Sequence, residues 1–160
     1  MTGPGYDLLV VLHALSAVIG FGAVGVTGTY AARARSAPEP RKDPRLGRYF
    51  RPGTNWAERS LLLTPLLGGL VLGVGDRPAV SQPWPWIGLG CWAIAAAIAS
   101  AWSWPAERRI QDWLGAPADC EEVTNDLAQF QRECRVVVRT SSVISVCFFV
   151  AVVVMVSQPG

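Results

Sequence analysis

Four long apolar stretches alternate with polar segments along the chain. They cover residues 8–29, 57–75, 86–104 and 138–157, and they contain very few charged residues. A helix rises about 1.5 Å per residue, so about 20 residues cross the roughly 30 Å hydrocarbon layer of a bilayer. An amphipathic helix at a water-exposed surface would instead carry polar residues at every turn. The pattern therefore predicts an integral membrane protein with four transmembrane helices.

The second stretch is the shortest of the four. Its uninterrupted apolar part begins at Leu61, so the helix is expected to begin earlier, near Trp56, with polar side chains reaching back to the interface. Pro65 is expected to interrupt this helix, because proline lacks an N–H and clashes with the preceding turn.

The predicted fold is all-α, with one four-helix transmembrane domain over residues 1–160. Residues 31–54 are rich in Pro, Arg and Gly and predict a surface loop that is too polar to pack a core. Residues 105–137 predict a helical hairpin, in which the third helix continues past Pro105 to Gly115 and the fourth begins before the bilayer. In this hairpin, Val123, Leu127 and Phe130 lie on an apolar stripe of the fourth helix. We expect part of that stripe to bind a partner protein, to lie on the membrane or to cover the first loop.

Positive charge predicts the orientation. Of the 14 Lys and Arg residues, all except Arg77 lie in or beside segments 31–54 and 105–137. The positive-inside rule then predicts both termini outside and these two segments, the loop and the hairpin, in the cytoplasm. The strong preference for Arg over Lys is typical of a GC-rich bacterial genome, so the expected location is a bacterial inner membrane.

The basic residues of segment 31–54 have two possible roles. They could bind anionic lipid headgroups, which attract Lys and Arg near a membrane surface, or they could serve only to fix the topology. No aromatic-interleaved basic fold accompanies them, so nucleic acid is not an expected partner.

Small residues recur at four-residue spacing on three of the helices and predict close helix packing within the bundle, with dimerisation as the alternative. The members of these small faces are Ser16 and Gly20 in the first helix, Ser60, Thr64 and Gly68 together with Gly69 and Gly73 in the second, and Ala93, Ala97 and Ala101 in the third.

His13 is the single histidine and lies inside the first apolar stretch. Ionisable groups inside a membrane are candidates for function. By helical rise, Cys91 and Met155 are expected at a similar depth, and the three residues would suit copper, while His13 and Met155 would suit the axial positions of haem b. The alternative is a structural histidine, hydrogen-bonded to Ser16 or to a backbone carbonyl of a neighbouring helix.

The opening segment YDLLVVLHALSAVIGFGAVGVTGTYAARAR resembles the first helix of small bacterial four-span proteins known as predicted integral membrane proteins of unknown function. The likeness consists of His13 followed by Ala17, Gly20 and Gly22. The same layout also resembles the first helix of copper-resistance D-type membrane proteins. The resemblance implies a four-span plan and carries over His13 alone as a candidate functional residue.

We therefore expect a non-enzymatic accessory or assembly component of a membrane complex, with no cofactor and with a membrane protein as partner. A second hypothesis is a haem- or copper-binding membrane protein that uses His13. A third is a small homo-oligomeric channel or carrier.

Overall fold

Segments rich in Leu, Val and Ala form the long helices of the protein. The structure is a computed structural model that describes residues 3–75, 81–116 and 123–157, and the regular elements within these ranges are all helical. The α-helices are α1 (Pro4–Ser36), α2 (Pro44–Tyr49), α3 (Trp56–Arg59), α4 (Thr64–Val74), α5 (Pro83–Ile98), α6 (Trp104–Gly115) and α7 (Val123–Ser157).

Four helical stretches are long and apolar enough to cross a membrane, as the sequence predicts. They are Pro4–Ser36, Trp56–Val74, Pro83–Gly115 and Leu127–Ser157. The second begins at Trp56, inside the polar segment that was expected to lengthen it, and the third ends at the predicted Gly115. The all-α class and the four-span plan are therefore confirmed.

Two of these stretches change their helix type just before a proline. A 3₁₀ turn over Ser60–Leu63 precedes Pro65, and a π-helical turn over Ala99–Ser103 precedes Pro105. Proline removes one backbone donor, so the carbonyl four residues earlier needs another partner, and a local change of helix type accommodates this. The interruption expected from Pro65 therefore takes the form of a 3₁₀ turn.

The contacts of the chain form two compact units. We call the first the apolar unit (Met1–Val24, Asn55–Ala97 and Ile144–Gly160) and the second the charged unit (Gly25–Thr54 and Ile98–Val143). Among the Lys and Arg residues, all except Arg59 and Arg77 belong to the charged unit. The single domain over residues 1–160 stays a prediction.

The segment predicted as a polar loop, residues 31–54, is largely helical. Helix α1 continues to Ser36, and α2 lies within the segment. Asp43 is the N-cap of α2 and Pro44 occupies its first turn, a combination that favours helix initiation. Leu46 and Phe50 are buried. The expectation that this segment is too polar to pack a core was wrong, because two well-spaced apolar side chains suffice once a short helix places them on one side.

These two side chains belong to the hydrophobic core of the charged unit. The other members come from α1, α6 and α7, so the core joins four helices around small and large apolar side chains. Its buried residues are Ala31, Ala34, Leu46, Phe50, Ala106, Ile110, Phe130, Cys134 and Val137.

Candidate functional site

His13 of α1 forms a hydrogen bond to the backbone of the second spanning helix. Its Nδ1 lies 2.9 Å from the carbonyl oxygen of Thr64. A carbonyl oxygen only accepts, so Nδ1 carries the proton, and in the neutral ring Nε2 keeps its lone pair. The structural alternative for His13, a hydrogen bond to a carbonyl of a neighbouring helix, is the arrangement observed.

Gly68 provides the space for the imidazole ring. A Cβ added at Gly68 would lie 3.0 Å from Cε1 of His13, closer than most side-chain contacts in proteins. The four-residue spacing of Thr64 and Gly68 thus gives the histidine both an acceptor and a gap on one helix face.

The hydroxyl groups of Ser16, Ser60 and Thr64 extend the contact between α1 and the second spanning helix towards the C-terminal end of α1. Ser16 Oγ donates to the carbonyl of His13 at 2.8 Å and lies 3.4 Å from Thr64 Oγ1. Ser60 Oγ donates to the carbonyl of Ser16 at 3.3 Å and to that of Ala57 at 2.7 Å. Interhelical hydrogen bonds of this kind stabilise helix association where no water competes for the groups.

Gly20 brings the two backbones together. A Cβ added at Gly20 would lie 2.5 Å from the backbone nitrogen of Leu61, so an alanine could not fit without moving a helix. The small faces Ser16 to Gly20 and Ser60 to Gly68, which were read separately from the sequence, therefore pack against each other.

Trp92 of α5 contacts the backbone next to this cluster. Its indole Nε1 donates to the carbonyl of Leu61 at 2.9 Å. Leu61 lies four residues before Pro65, which has no N–H to offer, and its carbonyl also accepts the N–H of Thr64. The carbonyl that Pro65 leaves available is thus used by the third spanning helix.

Cys91 and Met155 contact groups other than His13. The Cε atom of Met155 packs where Gly88 leaves room, since a Cβ at Gly88 would lie 2.6 Å from it. Cys91 carries a free thiol. A similar depth in the membrane is not enough to bring side chains of different helices together. The rotation of each helix about its own axis decides where its side chains point, and the sequence does not determine that rotation. Within the described ranges, no group of three or more His, Cys, Asp or Glu residues could hold a metal ion.

Three predicted packing residues lie on exposed faces. Gly69 and Gly73 have nothing within 4 Å of an added Cβ, and Ala97 is exposed. The buried small residues of α5 and of the π-helical turn that follows it are Gly88, Ala95, Ala99 and Ser103. A role of Gly69, Gly73 and Ala97 in helix packing stays a prediction, with contact to another chain as its open alternative.

The predicted partner-binding stripe is mostly covered by the chain itself. Phe130 is only 2% exposed, and its ring stacks on Trp113 with 4.0 Å between centroids. Leu127 is 37% exposed, and the side chain of Val123 lies outside the described residues. Phe130 therefore packs in the core with residues of α2 and α6, which corresponds to the loop-covering possibility, and partner binding by Val123 and Leu127 stays a prediction.

Arginine side chains reinforce this aromatic pair. Arg41 lies over the ring of Trp113, 4.1 Å from its centroid, and its Nε donates to the Trp113 carbonyl at 3.2 Å. Arg109 pairs with Glu133 at 3.0 Å. A cavity of about 300 Å³ lies beside them, lined partly by Asp112. Within the described residues, these arginines have structural partners.

Residues 7–159 match the protein family described as "Predicted integral membrane protein (DUF2269)". The chain belongs to this family. The match spans the described parts of all four helical stretches from Asp7 onwards, and the resemblance read from α1 is thereby confirmed for DUF2269. No curated protein and no solved structure matches the chain, so the likeness to copper-resistance D-type proteins stays a prediction.

Sequence reasoning missed two contributors to this DUF2269 protein. Helix α2 was signalled by Asp43 followed by Pro44, an N-cap before a proline at the first helical position, but the surrounding prolines suggested a loop. Trp92 could have been linked to the carbonyl left available by Pro65 only after the helices were placed in space.

Proposed function

We propose that this DUF2269 protein is a non-catalytic accessory component of a membrane complex and that its partner binds inside the bilayer. The observation that carries the proposal is a contrast between two faces of the second spanning helix. The face that includes Thr64 and Gly68 is occupied by α1, whereas Gly69 and Gly73 are exposed on another. Glycines at this spacing allow close approach of a further transmembrane helix.

The residues beside these glycines support an intramembrane contact. Leu62 and Leu66 share the face at helical spacing and are 42% and 66% exposed. A face with large side chains at one end and glycines at the other offers both a ridge and a groove for a partner helix. Ala97 and its neighbours Ala93 and Ala101 provide a similar exposed small face in the third spanning stretch.

We further propose that the charged unit lies in the cytoplasm of a bacterial cell and that both termini lie outside the inner membrane. The concentration of Arg in that unit supports this orientation through the positive-inside rule. The extension of α6 and α7 is then a cytoplasmic hairpin.

The alternative function is binding of haem b or copper at His13. One observation favours it: the hydrogen bond to Thr64 leaves Nε2 as the acceptor nitrogen, and metal-bound histidines often have their other nitrogen fixed in this way. Against it, Met155 packs at Gly88 of α5. We therefore assign His13 to holding α1 and the second spanning helix together.

A purification with matched variants tests the accessory role. The tagged protein, its Gly69→Leu/Gly73→Leu variant and a Gly22→Leu control are extracted gently from native membranes. Gly22 is also helical and exposed with nothing nearby, so the control adds the same kind of bulk elsewhere. We expect the wild type and the control to retain one reproducible partner and the double variant to lose it.

Three results would contradict the accessory role. The wild type could be recovered alone each time, the double variant could keep its partner, or the partner could be a second copy of this chain. The last result would favour the homo-oligomeric channel or carrier.

A second measurement distinguishes the accessory role from the binding of haem b or copper. An oxidised-minus-reduced optical spectrum and metal analysis are recorded for the natively expressed protein and for His13→Ala. The accessory proposal predicts no Soret band and no stoichiometric copper in either. A signal that disappears in His13→Ala would replace it with a redox or metal-handling function.

A further inference from the structure

Helix α2 has one buried side and one basic side. Leu46 is 0% exposed and Phe50, directly after the helix, is 1% exposed. Arg45 and Arg48 are three residues apart and both exposed, and Arg51 follows, exposed as well. The buried residues pack with Ala31 and Ala34 of α1. The exposed Arg45 and Arg48 therefore belong to a fixed helix, and the exposed Arg51 follows it directly in the chain.

Capping and pairing hold α2 in place. Asp43 accepts a hydrogen bond from the backbone N–H of Arg45 at 2.9 Å and forms an ion pair with Arg33 of α1 at 3.0 Å. The backbone N–H of Arg45, followed by the Arg33 side chain, lowers the pKa of the Asp43 carboxyl below its usual value of 3.8. At neutral pH the cap is therefore ionised, and α2 is anchored to α1.

The position of α2 along α1 corresponds to the edge of a bilayer. Residues 8–32 of α1 contain no Asp, Glu, Lys or Arg, and such a run is about 37 Å long. The hydrocarbon layer is roughly 30 Å thick, so the end of this run, beside Ala31 and Ala34, lies at headgroup level. Tyr30 stacks on Tyr49 here with 4.0 Å between centroids, and tyrosines are enriched at this depth.

Some arginines of the charged unit pair within the protein itself. Arg33 pairs with Asp43, Arg41 with Trp113 and Arg109 with Glu133. By contrast, no hydrogen bond or ion pair to another described residue is made by the guanidinium groups of Arg45, Arg48 and Arg51.

We propose that Arg45, Arg48 and Arg51 form a binding surface for the phosphate groups of anionic phospholipids. Each guanidinium can donate two parallel hydrogen bonds to phosphate oxygens. An anionic headgroup attracts the positive charge more strongly than a zwitterionic headgroup does, because the zwitterionic headgroup has no net charge. This inference is independent of the proposed accessory role, because it concerns the charged unit and not the glycine face of α4.

Lipid selectivity tests the arginine surface. The full-length protein is reconstituted in vesicles that contain phosphatidylcholine and phosphatidylglycerol, then extracted mildly, and the bound lipids are measured by native mass spectrometry. The variants are Arg45→Gln/Arg48→Gln/Arg51→Gln and a control of equal charge change, Lys42→Gln/Arg108→Gln/Arg132→Gln. All six residues are exposed, and the control residues lie on other elements.

We expect the lipid bound to the wild type to be enriched in phosphatidylglycerol over phosphatidylcholine. This enrichment should fall at least tenfold in the arginine-surface variant, and the control variant should keep most of it. One arginine near an anionic surface raises the binding constant for that surface about fivefold. The tenfold loss expected for three arginines is smaller than the product of three such factors, because salt screens part of the attraction. Equal loss in both variants, or no loss in the first, would overturn the proposal. Intrinsic Trp fluorescence confirms that both variants are folded.

Discussion

The apolar unit and the charged unit hold their helices together with different chemistry. In the apolar unit, α1 meets the second spanning helix through Ser16, Gly20 and Thr64, and Gly20 packs on the backbone of Leu61. In the charged unit, Phe130 and Leu46 are buried among other apolar residues, and Arg109 and Glu133 form an ion pair beside Phe130. We attribute the difference to the proposed placement of the two units, since lipid supplies no hydrophobic force between helices, whereas water makes burial of large side chains favourable.

The comparison teaches where sequence patterns are informative. Close backbone approach and hydrogen bonds to carbonyls dominate in lipid, so the informative residues are small. In contact with water, burial of a large apolar side chain contributes about 1.5–3 kcal/mol, so the informative residues are aromatic and aliphatic. We therefore compare substitutions of small residues in the apolar unit with substitutions of large apolar side chains in the charged unit.

The largest effect is expected from Phe130→Ala in the charged unit. It removes a ring that is 2% exposed and stacked on Trp113, and such truncations cost about 3–5 kcal/mol. Hydrogen exchange of α6 and α7 in detergent should report this loss. The matched control is Leu127→Ala, which removes a side chain that is 37% exposed and should cost less than about 1 kcal/mol. Comparable losses in the two variants would contradict the assignment of Phe130 to the core.

In the apolar unit, Gly20→Ala should destabilise the protein by about 1–3 kcal/mol. The added Cβ would meet the Leu61 backbone at 2.5 Å, and overpacking of this kind forces the helices apart. Gly22→Ala should instead be neutral or stabilising by up to about 1 kcal/mol, because Gly22 is helical with nothing nearby. Thermal unfolding in detergent, followed by circular dichroism, compares the two. The same sign for both variants would argue against close packing at Gly20.

A smaller effect is expected from Trp92→Phe, which keeps an aromatic ring and removes the donor to the Leu61 carbonyl. Interhelical hydrogen bonds in membranes average about 0.6 kcal/mol and reach about 1.7 kcal/mol. Trp102→Phe serves as the control, because Trp102 is 56% exposed. The same unfolding assay should show a lower melting temperature for Trp92→Phe alone. An unchanged melting temperature would mean that this hydrogen bond contributes nothing.

The smallest effect concerns Asp43 at the start of α2. Its pKa is lowered on folding, so the stability it provides is present above the usual value of 3.8 and is lost as the pH falls towards the folded value. Limited proteolysis of segment 31–54 should therefore accelerate as the pH falls below about 4. Asp43→Asn keeps a side chain suited to the N-cap but should remove this pH dependence. An identical pH profile for the variant would assign the effect to other groups.

The number of spanning helices and their approximate ends could be predicted, because both depend on the length and hydropathy of the apolar stretches. Charge-free runs predicted four spans, and Trp56 and Gly115 were expected at the ends where the structure has them. The spacing of Ser16 and Gly20 and of Thr64 and Gly68 marked the small faces of two helices, but that these faces pack against each other is visible only in the structure.

The remaining features depend on the rotation of each helix. Gly69 and Gly73 form a stronger motif than Gly68 alone, yet Gly68 faces His13 and the other two are exposed. Cys91 and Met155 were aligned with His13 by depth, which leaves the direction of each side chain undetermined. Helix α2 was read as a loop because four prolines outweighed the N-cap signal of Asp43.

Disulfide cross-linking between α1 and the second spanning helix tests the account most directly. Ser16→Cys/Thr64→Cys is made in a chain whose native Cys91, Cys120, Cys134 and Cys147 are alanine, and Gly22→Cys/Gly69→Cys is the control. The hydroxyl oxygens of Ser16 and Thr64 lie 3.4 Å apart, which is compatible with disulfide geometry after small adjustments. After mild oxidation in membranes, we predict an intramolecular cross-link in the first pair and free thiols in the control. Free thiols in the first pair together with a cross-link in the control would contradict the helix packing on which the account rests.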